Sequence, residues 1–308
     1  MTEPVEVAAA ALVDAAGRVL LAQRHPEAHQ GGLWEFPGGK CERDEPVECA
    51  LVRELREELG IEAEAWRPLI RVRHDYGDRC VVLHVYRVTG WRGKPQGREG
   101  QPLAWVRPEA LSDYPMPAAD RPVVTALQLP DTYLITPPEV LDTEGFLKLL
   151  EEALERGIRL LQFRVFGLDQ ATTRSLYERA EQLCERAGAI LMANSALGLR
   201  RPTGLHLTSR ALRSLKRRPV DVRWLAASCH DADDLARAQD LGVDFAVLSP
   251  VLPTPSHPDA DPLGWERFAA WVDGVSLPVF ALGGMEPSLL ETAWRHGAQG
   301  IAGIRGIG

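Results

Sequence analysis

The 308-residue sequence lacks any pair of cysteines at metal-binding or redox spacing: Cys41, Cys49, Cys80, Cys184 and Cys229 are scattered, with no CxxC among them. That excludes a zinc knuckle and a disulfide framework and implies five reduced thiols. Missing too is any apolar run near the ~20 residues of a membrane span, and no basic stretch precedes the apolar segment at the N-terminus. The expectation is a cytoplasmic protein with no membrane partner. Basic residues are in deficit as well, 35 Lys and Arg against 43 Asp and Glu, a net charge of -8. This argues against direct nucleic-acid binding but leaves room for a nucleotide, which needs only a local pocket. What is present is ordinary for a globular chain, 45% hydrophobic and 25% charged residues, at a length that predicts two domains.

The chain changes rhythm near residue 130. Before it, "EVAAAALVD" (6–14) and "RVLLAQR" (18–24) suggest a hairpin around Ala16-Gly17, with further strands at "RCVVLHVYRVTGW" (79–91) and "LAWVRPEAL" (103–111). A short helix, "RPVVTALQL" (121–129), has Asp120 at its N-cap and is stopped by Pro130. After it, short apolar strands at 132–136, 159–164, 189–193, 203–207, 223–228, 244–249, 278–282 and 299–304 alternate with amphipathic, Gly-terminated helices. Eight such units predict a compact (β/α)8 barrel over 131–308, and a doubly wound sheet is the alternative. The sequence stops just after the eighth strand, so the closing helix is expected to be missing or borrowed.

One helix is not a bland one. Pro46 opens it, Gly60 closes it, and Val47, Leu51, Leu55 and Leu59 form a stripe that must be buried. At ~100° per residue, Glu58 falls about 20°, Glu54 about 60° and Glu57 about 120° from Leu51, all on one side, whereas Arg53 and Arg56 point away. Carboxylates at a buried edge are costly without a cation, and oxygen-only ligands suit Mg2+ or Mn2+. The alternative is a merely solvated, charge-laced helix.

Spacing adds a resemblance. Gly39, Glu45, Arg53-Glu54-Leu55, Glu57-Glu58 and Gly60-Ile61 match the nine specified positions of the signature box of the Nudix hydrolases. The resemblance implies an α/β/α sandwich at residues 1–130, with Glu54, Glu57, Glu58 and the Gly38 carbonyl as metal ligands. The flanks "LWEFPGGK", "GDRC", "GREGQPLAWV" and "PAADRP" are similar to MutT-type members that hydrolyse oxidised guanine nucleotides in nucleotide-pool sanitation. By that resemblance Glu99 is the extra carboxylate on the metal or water, and Arg24 and His29 contact the nucleotide. Glu35, Phe36, Pro37 and Gly38 line its pocket, Tyr76 and Arg79 close over it, and the partner is an oxidised purine nucleoside triphosphate. The expected reaction is 8-oxo-dGTP and water to 8-oxo-dGMP and pyrophosphate, with a thiamine-pathway diphosphate as the alternative substrate. One position departs: the bacterial members carry Asn where this chain has Asp120, which pairs differently with a base edge and otherwise reads as a plain N-cap.

The second half resembles the thiamine-phosphate synthase family and its thiazole tautomerase relatives through "YLIT", "LLQFR", "SCHDADDLARAQDLGVDFAVLSPVLPTPS" and "PVFALGGM". Strand ends place Gln162, Arg164, Asn194, Ser228, His230, Thr254 and the pair Gly283-Gly284 at the barrel mouth, the glycines as a phosphate cradle or simply a tight turn. The family's lysine after Arg164 is replaced (Val165-Phe166), its Asn-Asp pair is Asn194-Ser195, no second aspartate stands in "TSRALRS" (208–214), and His257 replaces a lysine. Thiamine phosphate synthesis is therefore not expected. A degenerate or repurposed barrel is the expectation. His230 matches the tautomerase acid/base position, which leaves open a tautomerase or a sensor of a phosphorylated thiazole or pyrimidine; the alternative is that His230 only hydrogen-bonds the barrel rim.

Overall fold

The computed structural model describes residues 4–27, 30–139, 142–254, 261–304 and 307. The chain divides into two compact units, Met1–Gln128 and Leu129–Gly308, each with its own hydrophobic clusters.

In the first unit, β1 (Val5–Leu12) lies between β4 (Gly38–Lys40) and β6 (Cys80–Arg92) in a four-stranded sheet completed by β5 (Glu62–Asp75). β1 is buried on both faces. Its Ala8, Ala10 and Leu12 pack with Leu51, Leu55 and Leu59 of the signature helix, and its Ala9 and Ala11 pack with Val123 and Leu127 of α2 (Arg121–Gln128). Helices on both faces of a sheet make the expected sandwich. The run of alanines suits this central strand, because small side chains let both helices approach closely.

Three expectations for this unit change. Residues 6–24 turn back at Ala16-Gly17 as expected, with an antiparallel bridge between Val13 and Val19, but the hairpin pairing goes no further. The turn closed by Gly17 N–H on the Asp14 carbonyl carries the chain into a second, three-stranded sheet, in which β2 (Val19–Gln23) lies between β3 (Trp34–Glu35) and β7 (Leu103–Val106). The reason is the double burial of β1, whose edges are already taken by β4 and β6. The strand at 103–111 ends at Val106, because Pro108 opens a 3-10 turn over Pro108–Asp113. And the 14-residue β5 had no sequence signal: Pro68 and its charged residues mask a strand that bulges past Pro68 to pair with β6.

The second unit is a closed eight-stranded parallel barrel in the order of the chain: β8 (Thr132–Ile135), β9 (Leu160–Phe163), β10 (Ile190–Asn194), β11 (Gly204–Leu207), β12 (Trp224–Cys229), β13 (Phe245–Leu248), β14 (Val279–Leu282) and β15 (Gly300–Gly303). Tyr133, Phe245 and Phe280 fill the interior as mutually packed rings 5.5–5.8 Å apart. Outward residues such as Leu134, Leu161 and Ala193 pack against α3 (Thr143–Glu155) and α4 (Gln170–Arg186). Two helices appear where no pattern was read, α5 (Ser209–Ser214) and α7 (Gly264–Val272), while α6 (Ala232–Leu241) and α8 (Leu290–Arg295) fall on amphipathic stretches. Between β10 and β11 stands only a 3-10 turn, Ser195–Leu197, and no helix follows β15 among the described residues.

Candidate functional site

The signature helix begins as α1 (Val47–Glu54) and continues through a π-helical turn, Leu55–Leu59, to Gly60 in the left-handed region (φ 70°). A π turn advances less per residue than an α turn, a common device at functional sites, so the uniform 100° wheel fails over its last acids. Leu51, Leu55 and Leu59 remain fully buried, but the three glutamates separate. Glu58 turns inward and its Oε2 accepts a 3.0 Å hydrogen bond from the Gly38 N–H. Glu54 lies against Gly39, where an added Cβ would sit 2.3 Å from its carboxyl carbon. Glu57 stays 59% exposed and pairs with Arg53 at 3.2 Å.

Arg53 is the hub that sequence reasoning passed over. Its guanidinium binds Glu45 at 2.9 Å, Glu54 at 2.8 Å and the Lys40 carbonyl at 3.0 Å. Those bonds drive the Glu45 carboxyl down to about 2, with Arg53 as the main cause. The available signal was positional: Arg53 directly precedes Glu54 inside the signature, and Glu45 is part of the same signature.

Glu99 reaches the cluster through the helix end. The last carbonyls of a helix need donors, and Gln96 N–H binds the Leu59 carbonyl at 3.1 Å while Arg98 N–H binds that of Glu58 at 2.9 Å. Gln101 completes the clasp, donating to the Glu58 carbonyl at 3.3 Å and accepting from Glu99 N–H at 2.9 Å. Burial, followed by the charges of Glu35, Glu54 and Glu99, pushes the Glu58 carboxyl up to about 8 against the pull of the Gly38 N–H. These are hard oxygen donors, the donor chemistry that a divalent cation satisfies, and Arg53 is the positive charge that Glu54 meets as placed. Glu54, Glu58, Glu99 and the backbone at Gly38 fit such an ion; Glu57, drawn to Arg53, stands off. As placed, no three acids, histidines or cysteines among the described residues stand close enough together to hold a metal ion, so the fit is one of donor chemistry and not of position.

Beside the acids lies a second gathering. Arg24 is ion-paired with Glu35, and both act electrostatically on Asp120 and Tyr76. Asp120 is 5% exposed and forms no side-chain hydrogen bond among the described residues; it does not cap α2, so the N-cap reading falls. Burial and then Glu35 raise its carboxyl to about 8, with Arg24 opposing. Phe36 is buried in the core beneath, and the Pro37 carbonyl accepts from Ala10 N–H at 2.8 Å, so both support the pocket floor. The Arg79 guanidinium is drawn to Asp78 at 3.2 Å while its carbonyl accepts from Tyr76 N–H at 2.9 Å, and His29 falls outside the described residues.

At the barrel mouth the predicted residues behave unequally. Arg164 rests over the Phe166 ring at 5.4 Å, its pKa lowered by burial, and it pairs with no carboxylate among the described residues. Asn194 spends its Oδ1 capping the 3-10 turn through Ala196 N–H at 3.0 Å. His230 Nδ1 lies 3.0 Å from the Ser249 carbonyl, so that nitrogen carries the proton and Nε2 keeps the lone pair. Gly283 and Gly284 have φ of 99° and 67°, and a Cβ on either would come within 2.9 Å of the Pro250–Pro253 segment, which gives the tight-turn reading a direct cause. Thr254 ends the described part of that segment. Gln162 does not face the mouth freely; it donates to the Tyr133 hydroxyl at 3.3 Å, and Ser228 Oγ sits 2.9 Å from His206 Nε2. Tyr133 went unmarked at the sequence level, although it sits at an inward-facing position of its strand; His206 was legible only as one more polar residue at a strand end.

Comparison with known proteins agrees with this division. Residues 8–126 match the family described as NUDIX domain, and residues 132–307 match the family described as thiamine monophosphate synthase. The chain is 44% identical over 117 residues to the CTP pyrophosphohydrolase of Escherichia coli (strain K12), covering 38% of this chain and 87% of that protein. It is 36% identical over 110 residues to the 8-oxo-dGTP diphosphatase of the same organism, covering 36% and 85%. Over 182 residues it is 30% identical to the "Putative thiamine-phosphate synthase 2" of Aquifex aeolicus (strain VF5), covering 58% and 97%.

Proposed function

We propose, for a chain that belongs to the NUDIX family over residues 8–126 and to the thiamine monophosphate synthase family over residues 132–307, that the first unit is a cytoplasmic nucleoside triphosphate pyrophosphohydrolase. It would release a nucleoside monophosphate and pyrophosphate. The observation that carries this is the Glu58 carboxyl, clasped by Gly38 N–H and crowded by Glu35, Glu54 and Glu99.

Glu54, Glu58, Glu99 and Gly38 would hold Mg2+ or Mn2+, which when bound neutralises phosphate oxygens and lowers the pKa of a water. Arg53 fixes the Glu54 carboxylate in place, and the Gln96–Gln101 clasp ties the Glu99 loop to the end of the same helix. Either acid can take the proton of the attacking water. Asp120 reads the base: neutral at pH 7, it offers one donor and one acceptor side by side. That pair complements the O6/N7–H edge of 8-oxoguanine, which makes 8-oxo-dGTP the first candidate substrate. It complements equally the N3/N4 edge of cytosine, and the 44% identity to a CTP pyrophosphohydrolase makes that the second.

The test is a hydrolysis panel of 8-oxo-dGTP, dGTP, CTP and thiamine-pathway diphosphates with Mg2+ or Mn2+. Glu58→Gln is expected to lower kcat by about 10²–10³ without unfolding the chain, and Glu57→Gln to lower it less, since Glu57 faces outward. Rates like those of the unaltered protein in Glu58→Gln would overturn the assignment.

For the barrel, Phe166, Ser195 and the acid-free 208–214 segment support binding of a phosphorylated thiazole or pyrimidine without thiamine phosphate synthesis. The His230 imidazole, oriented by Ser249, supports proton transfer on that ligand as the second reading. Robust thiamine phosphate formation from hydroxymethylpyrimidine diphosphate and thiazole phosphate would refute this.

A further inference from the structure

Four inward-facing polar side chains cross the top of the barrel interior, one from each of β8, β9, β11 and β12: Tyr133, Gln162, His206 and Ser228. A buried hydroxyl must find an acceptor. The Tyr133 hydroxyl, fully buried, has two polar neighbours: the Gln162 amide nitrogen at 3.3 Å, which can only donate, and His206 Nδ1 at 2.9 Å. The hydroxyl therefore accepts from Gln162 and donates to Nδ1. That makes Nδ1 the lone-pair nitrogen of His206 and puts the ring proton on Nε2, 2.9 Å from Ser228 Oγ. Ser228 Oγ accepts the hydrogen bond from Nε2–H, and its own O–H has no acceptor among the described residues. The direction of every bond in the chain follows from the first donor.

We propose that Tyr133 and His206 are positioning residues that polarise this chain, holding Ser228 as a one-way hydrogen-bond donor into the barrel mouth. There the Arg164 guanidinium, which acts on His206 and pairs with no carboxylate among the described residues, supplies the positive charge. The ligand class is an anionic oxygen, such as a phosphate ester, recognised by a neutral donor and a fixed cation with no metal between them. The proposal rests on the reading of the mouth as a site for a phosphorylated heterocycle and adds how the donor is set. It also accounts for a neutral histidine within reach of Arg164: burial, then the Arg164 charge, lowers His206 to about 3, so the ring does not compete for the anion.

The experiment uses the full chain with inorganic phosphate and thiazole phosphate as probes, in two measurements. Long-range 15N–1H spectra should show His206 as the neutral Nε2–H tautomer from pH 5 to pH 8, a readout that needs no ligand. An Nδ1–H tautomer or an imidazolium would overturn the relay. Titration calorimetry should show Tyr133→Phe and His206→Leu each weakening thiazole phosphate binding about tenfold. Adding Ser228→Ala to either should cost little more. His206→Gln, which keeps an acceptor for Tyr133 and a donor for Ser228, should bind within about threefold of the unaltered protein. Unchanged affinity in Tyr133→Phe, or equal losses in His206→Gln and His206→Leu, would overturn the positioning role. No binding of either probe by the unaltered chain, with the tautomer as expected, would instead sink the anionic ligand and with it the reading of the mouth.

Discussion

Asp120 shows how much chemistry one burial decides. On an exposed turn it would be a carboxylate and an ordinary cap. Nearly buried, near Glu35 and with no side-chain hydrogen bond among the described residues, it keeps its proton to about pH 8. Its raised folded-state pKa means that the folded chain holds a proton the unfolded chain has already lost, so stability falls as pH rises from 3.8 towards about 8. Asp120→Asn should flatten that decline in thermal melts, leaving a residual slope from Glu58, whose carboxyl also sits at about 8. The same substitution should keep base discrimination above pH 8, where the native Asp120 loses its donor. Measured kcat/KM for 8-oxo-dGTP and CTP across pH 6.5–9.5 checks this; parallel profiles for the two proteins would dismiss Asp120 as the reader.

At the scale of elements, the catalytic geometry depends on a short strand and a helix end. β4 brings Gly39 so close to Glu54 that no side chain fits between them, and Gly38, at φ 145°, would push a Cβ to 2.1 Å from the Ala8 carbonyl oxygen. These two glycines therefore differ. Gly39→Ala collides only with the flexible end of Glu54, so it should leave the melting temperature nearly unchanged while lowering kcat by more than about tenfold through misplacement. Gly38→Ala collides with backbone in a conformation L residues avoid and should destabilise the unit outright. Similar melting curves for the two variants would contradict this account. The π turn and the Gln96–Gln101 clasp belong to the same scale: a helix pattern in sequence announces the helix, but the wider last turn, and the loop that satisfies its carbonyls, arise only when the segments meet.

On the scale of the whole molecule, the two units differ in topology and each fills its own clusters, Ala8–Val88 and Ala9–Leu127 in the first and the barrel interior and shell in the second. A chain ending at Gln128 should fold cooperatively and hydrolyse nucleotide with the kcat/KM of the full chain, as circular dichroism and the same assay would show. A tenfold loss on excision would mean that the barrel regulates the hydrolase. Among the described residues no helix is long and apolar enough to cross a membrane.

The sequence by itself determined what is written in local order. The Gly39–Ile61 spacing named the chemistry, and alternating short apolar strands and Gly-ended helices counted out the eight-stranded barrel. Tertiary structure decided what depends on partners distant in the chain: that Arg53 holds Glu54, that Glu57 stands apart, that β5 is a strand despite Pro68, and that Tyr133 dictates the tautomer of His206 from 73 residues away. Periodicity and spacing report what a residue does to its own neighbours. Burial and hydrogen-bond direction are set by residues that come near only when the chain has folded.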